Sequence, residues 1–270
     1  MTAPIITNIT GPSNPLPWHA SPHDFSGVNL LGHQAQEATQ RYVCGTRYTT
    51  WDGRVYKYGH GLGTCDGGKG AKNWSAAVNI AQDAAAIAIG DRFITITLGA
   101  ADGFSADGEV YLNELAGGFF ISHHPTVQIR GITGNTAGDA VAIRVYLDAP
   151  ITEADSDPYC EILLNPYLYL DQTGSNEYMS VMCVPNRDIL ALNYFWGQTY
   201  GPCWVSAGVD WESIGDTANE RSVFFTQDGT VNGSVEITGD STGHQHAGFI
   251  IDSTVGAVDA GPWVMLQISI

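Results

Sequence analysis

Apolar and polar residues alternate along much of this chain in short runs closed by Gly or Asp, the period-two pattern of strands with one buried face. Ala140-Val-Ala-Ile-Arg-Val-Tyr-Leu147 is the clearest case, with apolar residues at successive alternate positions. Neighbouring runs predict strands over residues 92–98, 109–115 and 126–132, with turns at the spacing of a small barrel or sandwich. A second series covers 161–170, 180–185, 190–205, 222–227, 234–238, 246–252 and 263–270, with turns at Asp228-Gly229 and Asn232-Gly233. The last run ends on the final residue, so a C-terminus paired in a sheet is expected. No internal repeat stands out. Short helices are expected only over 29–39 and 76–89.

Residues 45–59 predict a β-hairpin. The stretches 46–51 and 54–58 are β-prone, and Asp52-Gly53 between them is a favoured two-residue turn. The hairpin gathers Arg47, Arg54 and Lys57 with Tyr48, Trp51, Tyr56 and Tyr58. Two strands are too few to bury four large rings, so these rings need another surface. Before the hairpin, Pro4, Pro12, Pro15, Pro17 and Pro22 lie among Ser, Asn and His and predict an extended arm over 1–44. Trp18 in that arm points to docking, because a lone indole is costly to leave in water. The expected organisation is therefore an arm (1–44), the hairpin with a Gly-rich loop (45–72), a first β domain (73–158) and a second (159–270). An acidic break at 153–160 marks the last boundary.

Composition supports an all-β reading with barrel- or sandwich-like domains. The chain has 32 Gly, and charged residues make up only 14% of it. Its net charge of −17 argues against nucleic acid as a partner, since phosphate binding needs a basic footprint. That charge is unevenly spread. Residues 1–72 hold six Arg and Lys against four acids, and 73–270 hold five against twenty-four. A near-neutral front and an acidic remainder suggest two surfaces with different tasks. No apolar run is long enough for a membrane span, and the first residues lack the pattern of a signal peptide.

Motifs for chemistry are sparse, and neither a cofactor nor a catalytic residue is expected. Gly239-Asp-Ser-Thr-Gly243 matches the hydrolase nucleophile pattern at Ser241, but a strand is predicted after it where a helix is required. No histidine follows Asp252 or Asp259 to complete a triad, so a hairpin turn is the better explanation. His244 and His246 fall on one side of a strand, with Asp240 as a conceivable third ligand for a metal. His19 and His23 are separated by Pro22, which breaks the helix a zinc motif needs, and His123-His124 precedes Pro125 in a loop. Asp155 and Asp157, with Glu153 and Glu161, form an acidic loop without the glycine of a calcium-binding EF-hand. The glycines of 59–70 lack the GK[ST] ending of a phosphate loop. Cys44, Cys65, Cys160, Cys183 and Cys203 include no CxxC pair, and reduced, buried thiols are expected. A Cys44–Cys65 bridge across the hairpin is the alternative. The ring-dense run Asn193-Tyr-Phe-Trp-Gly-Gln-Thr-Tyr-Gly-Pro-Cys-Trp204 is expected in the core, with sugar stacking as its alternative.

Two of these motifs carry a family resemblance. Gly45-Thr-Arg-Tyr-Thr-Thr-Trp-Asp-Gly-Arg-Val-Tyr-Lys-Tyr-Gly59 and the run 193–204 resemble structural proteins of tailed bacteriophages, in particular the head decoration or cement proteins of marine phages. The likeness spans roughly residues 45–270 as an ordering of elements, is specific in those two motifs, and leaves the arm outside. It implies a virion protein made in the host cytoplasm that coats the capsid exterior. The major capsid protein would be its partner, copies of itself would be neighbours on the shell, and there would be no catalysis. Trp18, Arg47, Tyr48, Trp51, Arg54, Tyr56, Lys57 and Tyr58 are the expected contacts. The runner-up is a carbohydrate-binding or self-assembling surface β protein.

Overall fold

The computed structural model describes residues 36–50, 52–73, 85–99, 108–123, 126–139, 141–156, 159–172, 179–208, 221–233, 245–252 and 261–269. All its regular elements are strands, so the fold is all-β. The arm up to residue 35 and the expected strand 234–238 lie outside the described residues. So do positions 76–84 of the second expected helix, and its remainder is irregular, with Ile87 in an isolated bridge to Asp155.

In chain order the first strands are β1 (Gln36–Glu37), β2 (Arg47–Thr49), β3 (Val55–His60) and β4 (Ala71–Lys72). Next come β5 (Phe93–Thr97), β6 (Glu109–Val110), β7 (Phe119–Ser122), β8 (Gln128–Asn135), β9 (Gly138–Asp139), β10 (Ala142–Leu147) and β11 (Cys160–Leu163). The last are β12 (Val181–Pro185), β13 (Tyr194–Trp204), β14 (Ser222–Phe225), β15 (Val231–Asn232), β16 (Gln245–Asp252) and β17 (Trp263–Gln267). They form two compact units, one from residues 85–166 and one from 36–73 together with 167–269. The hairpin and the second β region are thus one unit, and the first β region is inserted within it.

The inserted unit is an antiparallel sheet in the order β11-β7-β8-β10-β5, with β6 and β9 paired beside it. Alternation puts Ile94, Ile96, Ile143, Val145, Phe120 and Ile162 on the buried face. The unit extends past the expected boundary at 158, because β11 pairs with β7 from Cys160↔Ser122 to Leu163↔Phe119. The acidic break therefore lies inside it. The expected strand 109–115 stops at Val110, since Asn113 takes a left-handed backbone (φ 60°) and the chain turns. The buried Asn135 side chain fastens that turn, accepting from Leu115 N at 2.9 Å and donating to Tyr111 O at 2.9 Å.

The second unit is built on β13. The sheet runs β15-β14-β16-β17-β13-β12-β4, and β13 also pairs with β1 and β3, which in turn pairs with β2. The sheet curls until Val231 bridges Ala207, with Val231 N donating to Ser206 O at 3.0 Å and Gly208 N to Val231 O at 2.9 Å. Inside the curl lie Val181, Val184, Cys203, Val205, Val223, Phe225, Val231, Ala247, Ile250, Val264 and Leu266. Each large branched aliphatic buried there contributes about 1.5–3 kcal/mol.

The expected arm ends before residue 36, not at 44. Gln36 and Glu37 pair with Phe195 and Tyr194 as a strand, and positions 29–35 of the helix expected over 29–39 lie outside the described residues. The hairpin forms with Arg47↔Lys57, Tyr48↔Tyr56 and Thr49↔Val55 in register. Its turn is one residue longer than expected: Thr50 N donates to Arg54 O at 2.9 Å, and Gly53 closes it at φ +86°. The left-handed last position suits Gly and matches the twist of the strands. Thr226-Gln-Asp-Gly229 builds the same turn, with Thr226 N to Thr230 O at 2.8 Å and Gly229 at φ +81°. Burial works against ionising Asp52 and Asp228, but hydrogen bonds from Thr50, and from Thr226 and Thr230, leave both carboxyls below their ordinary value.

Candidate binding face

Three of the rings that the sequence assigns to a foreign surface are covered by the chain itself. Tyr48, Tyr56 and Tyr58 are buried with Cys44, Tyr194 and Trp196. Register explains this: Tyr56, Tyr58 and His60 lie opposite Gln198, Trp196 and Tyr194 on one face of the sheet. Tyr58 stacks on Tyr194 at 5.7 Å and meets Trp196 at 5.1 Å, while Tyr42 closes over Tyr58 at 5.2 Å. The hydroxyl of Tyr58 donates to Glu37 Oε1 at 3.1 Å and accepts from Arg41 N at 3.2 Å. Burial pushes the phenols of Tyr56 and Tyr194 up to about 12. Of the eight expected contacts, these three tyrosines are therefore core residues.

The hairpin's cations differ. Arg47 is exposed, Arg54 is paired with Asp52 at 2.8 Å and bonded to Tyr56 Oη at 3.0 Å, and Lys57 lies 5.9 Å from the Tyr167 ring centroid. Trp18 and Trp51 lie outside the described residues, as do Ser241 with its GxSxG motif, His19, His23, His124, Asp157, Asp240 and His244. His246 is exposed and meets Phe224 edge-on at 5.5 Å. Asp155 is buried against Ile87, Glu153 accepts from Thr126 Oγ1 at 2.6 Å, and Glu161 lies 3.5 Å from His123 Nε2. Among the described residues no three His, Cys, Asp or Glu side chains converge to hold a metal ion.

The Gly-rich loop is packed and not open to phosphate. Gly67 N donates to Asp188 Oδ1 at 2.9 Å, Gly68 N to Pro185 O at 2.8 Å and Gly70 N to Gly229 O at 2.7 Å. The five cysteines are free and buried, with Cys44 and Cys65 in separate clusters. Burial pushes Cys44, Cys65, Cys160 and Cys203 up to about 12 and raises Cys183 as well. A thiol so far from its thiolate is a poor nucleophile. All five should resist a disulfide reagent at mildly alkaline pH and react after denaturation. Rapid labelling of any one in the folded protein would contradict this burial.

The exposed chemistry lies on the outside of the barrel-like sheet. Trp204 pairs with Trp263, Pro202 with Met265, and Met265 and Ser222 flank Phe249 on either side. Their sequence neighbours Cys203, Val264, Leu266 and Ile250 point into the core, so alternation turns these side chains outward. Trp263 is 50% exposed, Phe249 40% and Trp204 39%, values high for such large rings. Phe224 and His246 continue the face, and Asp252, in register with Trp263, is the acid at its corner. On a chain of net charge −17 these described residues make a mainly aromatic face. No family model, curated protein or solved structure matches the chain.

Trp204 is held in place from below. A Cβ on Gly68 would run into its ring, and one on Gly261 would stand 3.0 Å from Cε2. Gly68 also has φ +78°, where other residues are strained. Gly68→Ala should cost about 1–3 kcal/mol and displace the indole. Urea midpoints and tryptophan emission would register both changes, and a variant matching the parent in both would refute the seat. The sequence run 193–204 pointed at Trp204 as part of a core strip, and Trp263 had no distinguishing signal beyond opening an alternating strand.

Proposed function

We propose that this chain is a non-enzymatic structural protein of a bacteriophage virion. It coats and stabilises the capsid by binding the major capsid protein lattice through the face of Trp204, Trp263, Met265 and Phe249. The observation that carries this reading is an exposed aromatic face, with Asp252 at its corner, on a strongly acidic chain. Such a face loses little solvation on docking, and large rings dominate interface energetics. The likeness of residues 45–59 and 193–204 to head decoration proteins supplies the class of partner. Many copies on a repeating shell multiply a modest contact into stable coating, with the acidic remainder of the surface toward solvent. The test is co-sedimentation with undecorated capsids. Saturable binding that is lost with Trp263→Ser and Phe249→Ser supports the proposal, and no binding, or binding indifferent to both, refutes it.

The seated Trp204 beside Trp263 favours a second reading, carbohydrate binding, because a rigid pair of indoles can stack on pyranose rings. Retention on insoluble polysaccharide, lost with Trp263→Ser and without any capsid binding, would move the assignment to that reading.

A further inference from the structure

We propose that His60 is an acid-sensitive latch: at neutral pH its ring holds residues 167–170 and 190–193 against the end of β3, and a second proton on the ring releases them. The imidazole is only 8% exposed, 4.4 Å from the Tyr194 ring and 5.5 Å from that of Tyr169. One ring nitrogen bonds the Leu192 backbone, while Nδ1 is buried without a hydrogen-bond partner among the described residues. The neutral ring fits this arrangement, since Nε2–H can donate to the Leu192 carbonyl and leave a bare lone pair on Nδ1. A proton on Nδ1 would put a buried charge and a donor where no acceptor stands among the described residues.

Each segment on the ring carries a residue in an unfavourable backbone conformation. Tyr169 and Leu192 have φ of 60° and 61°, a left-handed conformation that is uncommon outside Gly and persists where the surroundings impose it. Backbone bonds fasten both segments to the end of β3, from His60 N to Tyr167 O at 3.0 Å, Leu170 N to His60 O at 2.8 Å and Leu192 N to Gly61 O at 3.0 Å. The buried Leu170 side chain and the Gln36 amide oxygen, which accepts from Leu190 N at 2.7 Å, add to them. Leu190 and Leu192 are exposed, so the second segment has little core of its own to hold it.

The titratable groups around the ring are the phenols of Tyr169 and Tyr194. Beyond Tyr194 lie Cys44 and Tyr58, and Tyr58 is bonded to Glu37, the ion-pair partner of Arg41. Asp171 follows the first segment and bonds Gln172 N. Burial lowers the imidazole from its ordinary 6.5, with the Leu192 bond opposing. A folded value below the unfolded one means that the unfolded chain binds the proton first. The stabilisation is complete above 6.5 and is lost as pH falls through that value toward the folded one.

Hydrogen exchange of the full chain at about pH 7.5 and about pH 5, corrected for intrinsic rates, tests this. Peptides spanning 55–62, 164–172 and 189–196 should lose protection by roughly tenfold or more at the lower pH, and those from β8 and β10 should not. His60→Phe should abolish the pH-linked difference. Should that variant not fold, the wild-type imidazole resonance decides: its midpoint must lie below 6.5, with protection falling between 6.5 and that midpoint. A midpoint at or above that value, an unchanged pattern of exchange, or the same pH response in His60→Phe overturns the proposal.

Discussion

Trp196→Ala is expected to be the most destabilising single substitution in the 36–73/167–269 unit. Trp196 is buried at the centre of the ring cluster, 5.1 Å from Tyr58, 5.3 Å from Tyr42 and 5.6 Å from Tyr48. Truncating a buried indole costs about 3–5 kcal/mol through lost transfer energy and the cavity left behind. Each ring pair removed adds about 0.5–1.5 kcal/mol. Domains are stable by only about 5–15 kcal/mol, so the variant should be largely unfolded at moderate urea or not accumulate as folded protein. Tyr58→Phe should show a smaller loss, of about 1–3 kcal/mol, because only the hydroxyl that joins Glu37 and Arg41 is removed. Near-ultraviolet circular dichroism with urea titration would measure both. A Trp196→Ala loss under about 1 kcal/mol would mean the cluster is not the core described here.

That same cluster shows what the sequence made legible and what it did not. Alternation placed the strands that became β5, β10, β12, β14, β16 and β17, because one covered face leaves a period-two signature wherever it occurs. Phase does not say what covers a face. Tyr194 and Trp196 are buried under the hairpin's tyrosines, and a bulge between Gln198 and Tyr200 breaks the alternation before Pro202 and Trp204, which are exposed. Covering the rings of Tyr56 and Tyr58 needed a strand some 140 positions away, as the bond of Tyr56 Oη to Gln198 shows (|i−j| 142). Local sequence cannot carry a pairing of that range. The strand β7 was missed for a related reason. Gly117-Gly118 precedes it, it has four residues, and its partner β11 lies across the acidic break.

Trp263→Ser combined with Phe249→Ser is expected to reduce capsid affinity by roughly a hundredfold, since two central hot-spot rings together commonly supply ~3 kcal/mol or more. Both side chains face away from the core, which is filled by Val264, Leu266 and Ile250 on the same strands, so the fold should survive. An Arg47→Ala control, at an exposed hairpin cation, should leave binding within a few-fold of the parent if the hairpin is not the contact. Equal thermal midpoints with unequal capsid binding would separate adhesion from stability. Loss of binding in Arg47→Ala alone would return the contact to the hairpin.

The assignment of the binding face is tested most directly by side-chain footprinting of the protein free and bound on capsids. Trp263, Met265 and Phe249 should be labelled readily in solution and protected on the shell, while Phe93, Ile129 and Tyr146 on the exposed side of the inserted sheet keep their labelling. If Trp263, Met265 and Phe249 are labelled equally in both states, this face is not the capsid contact.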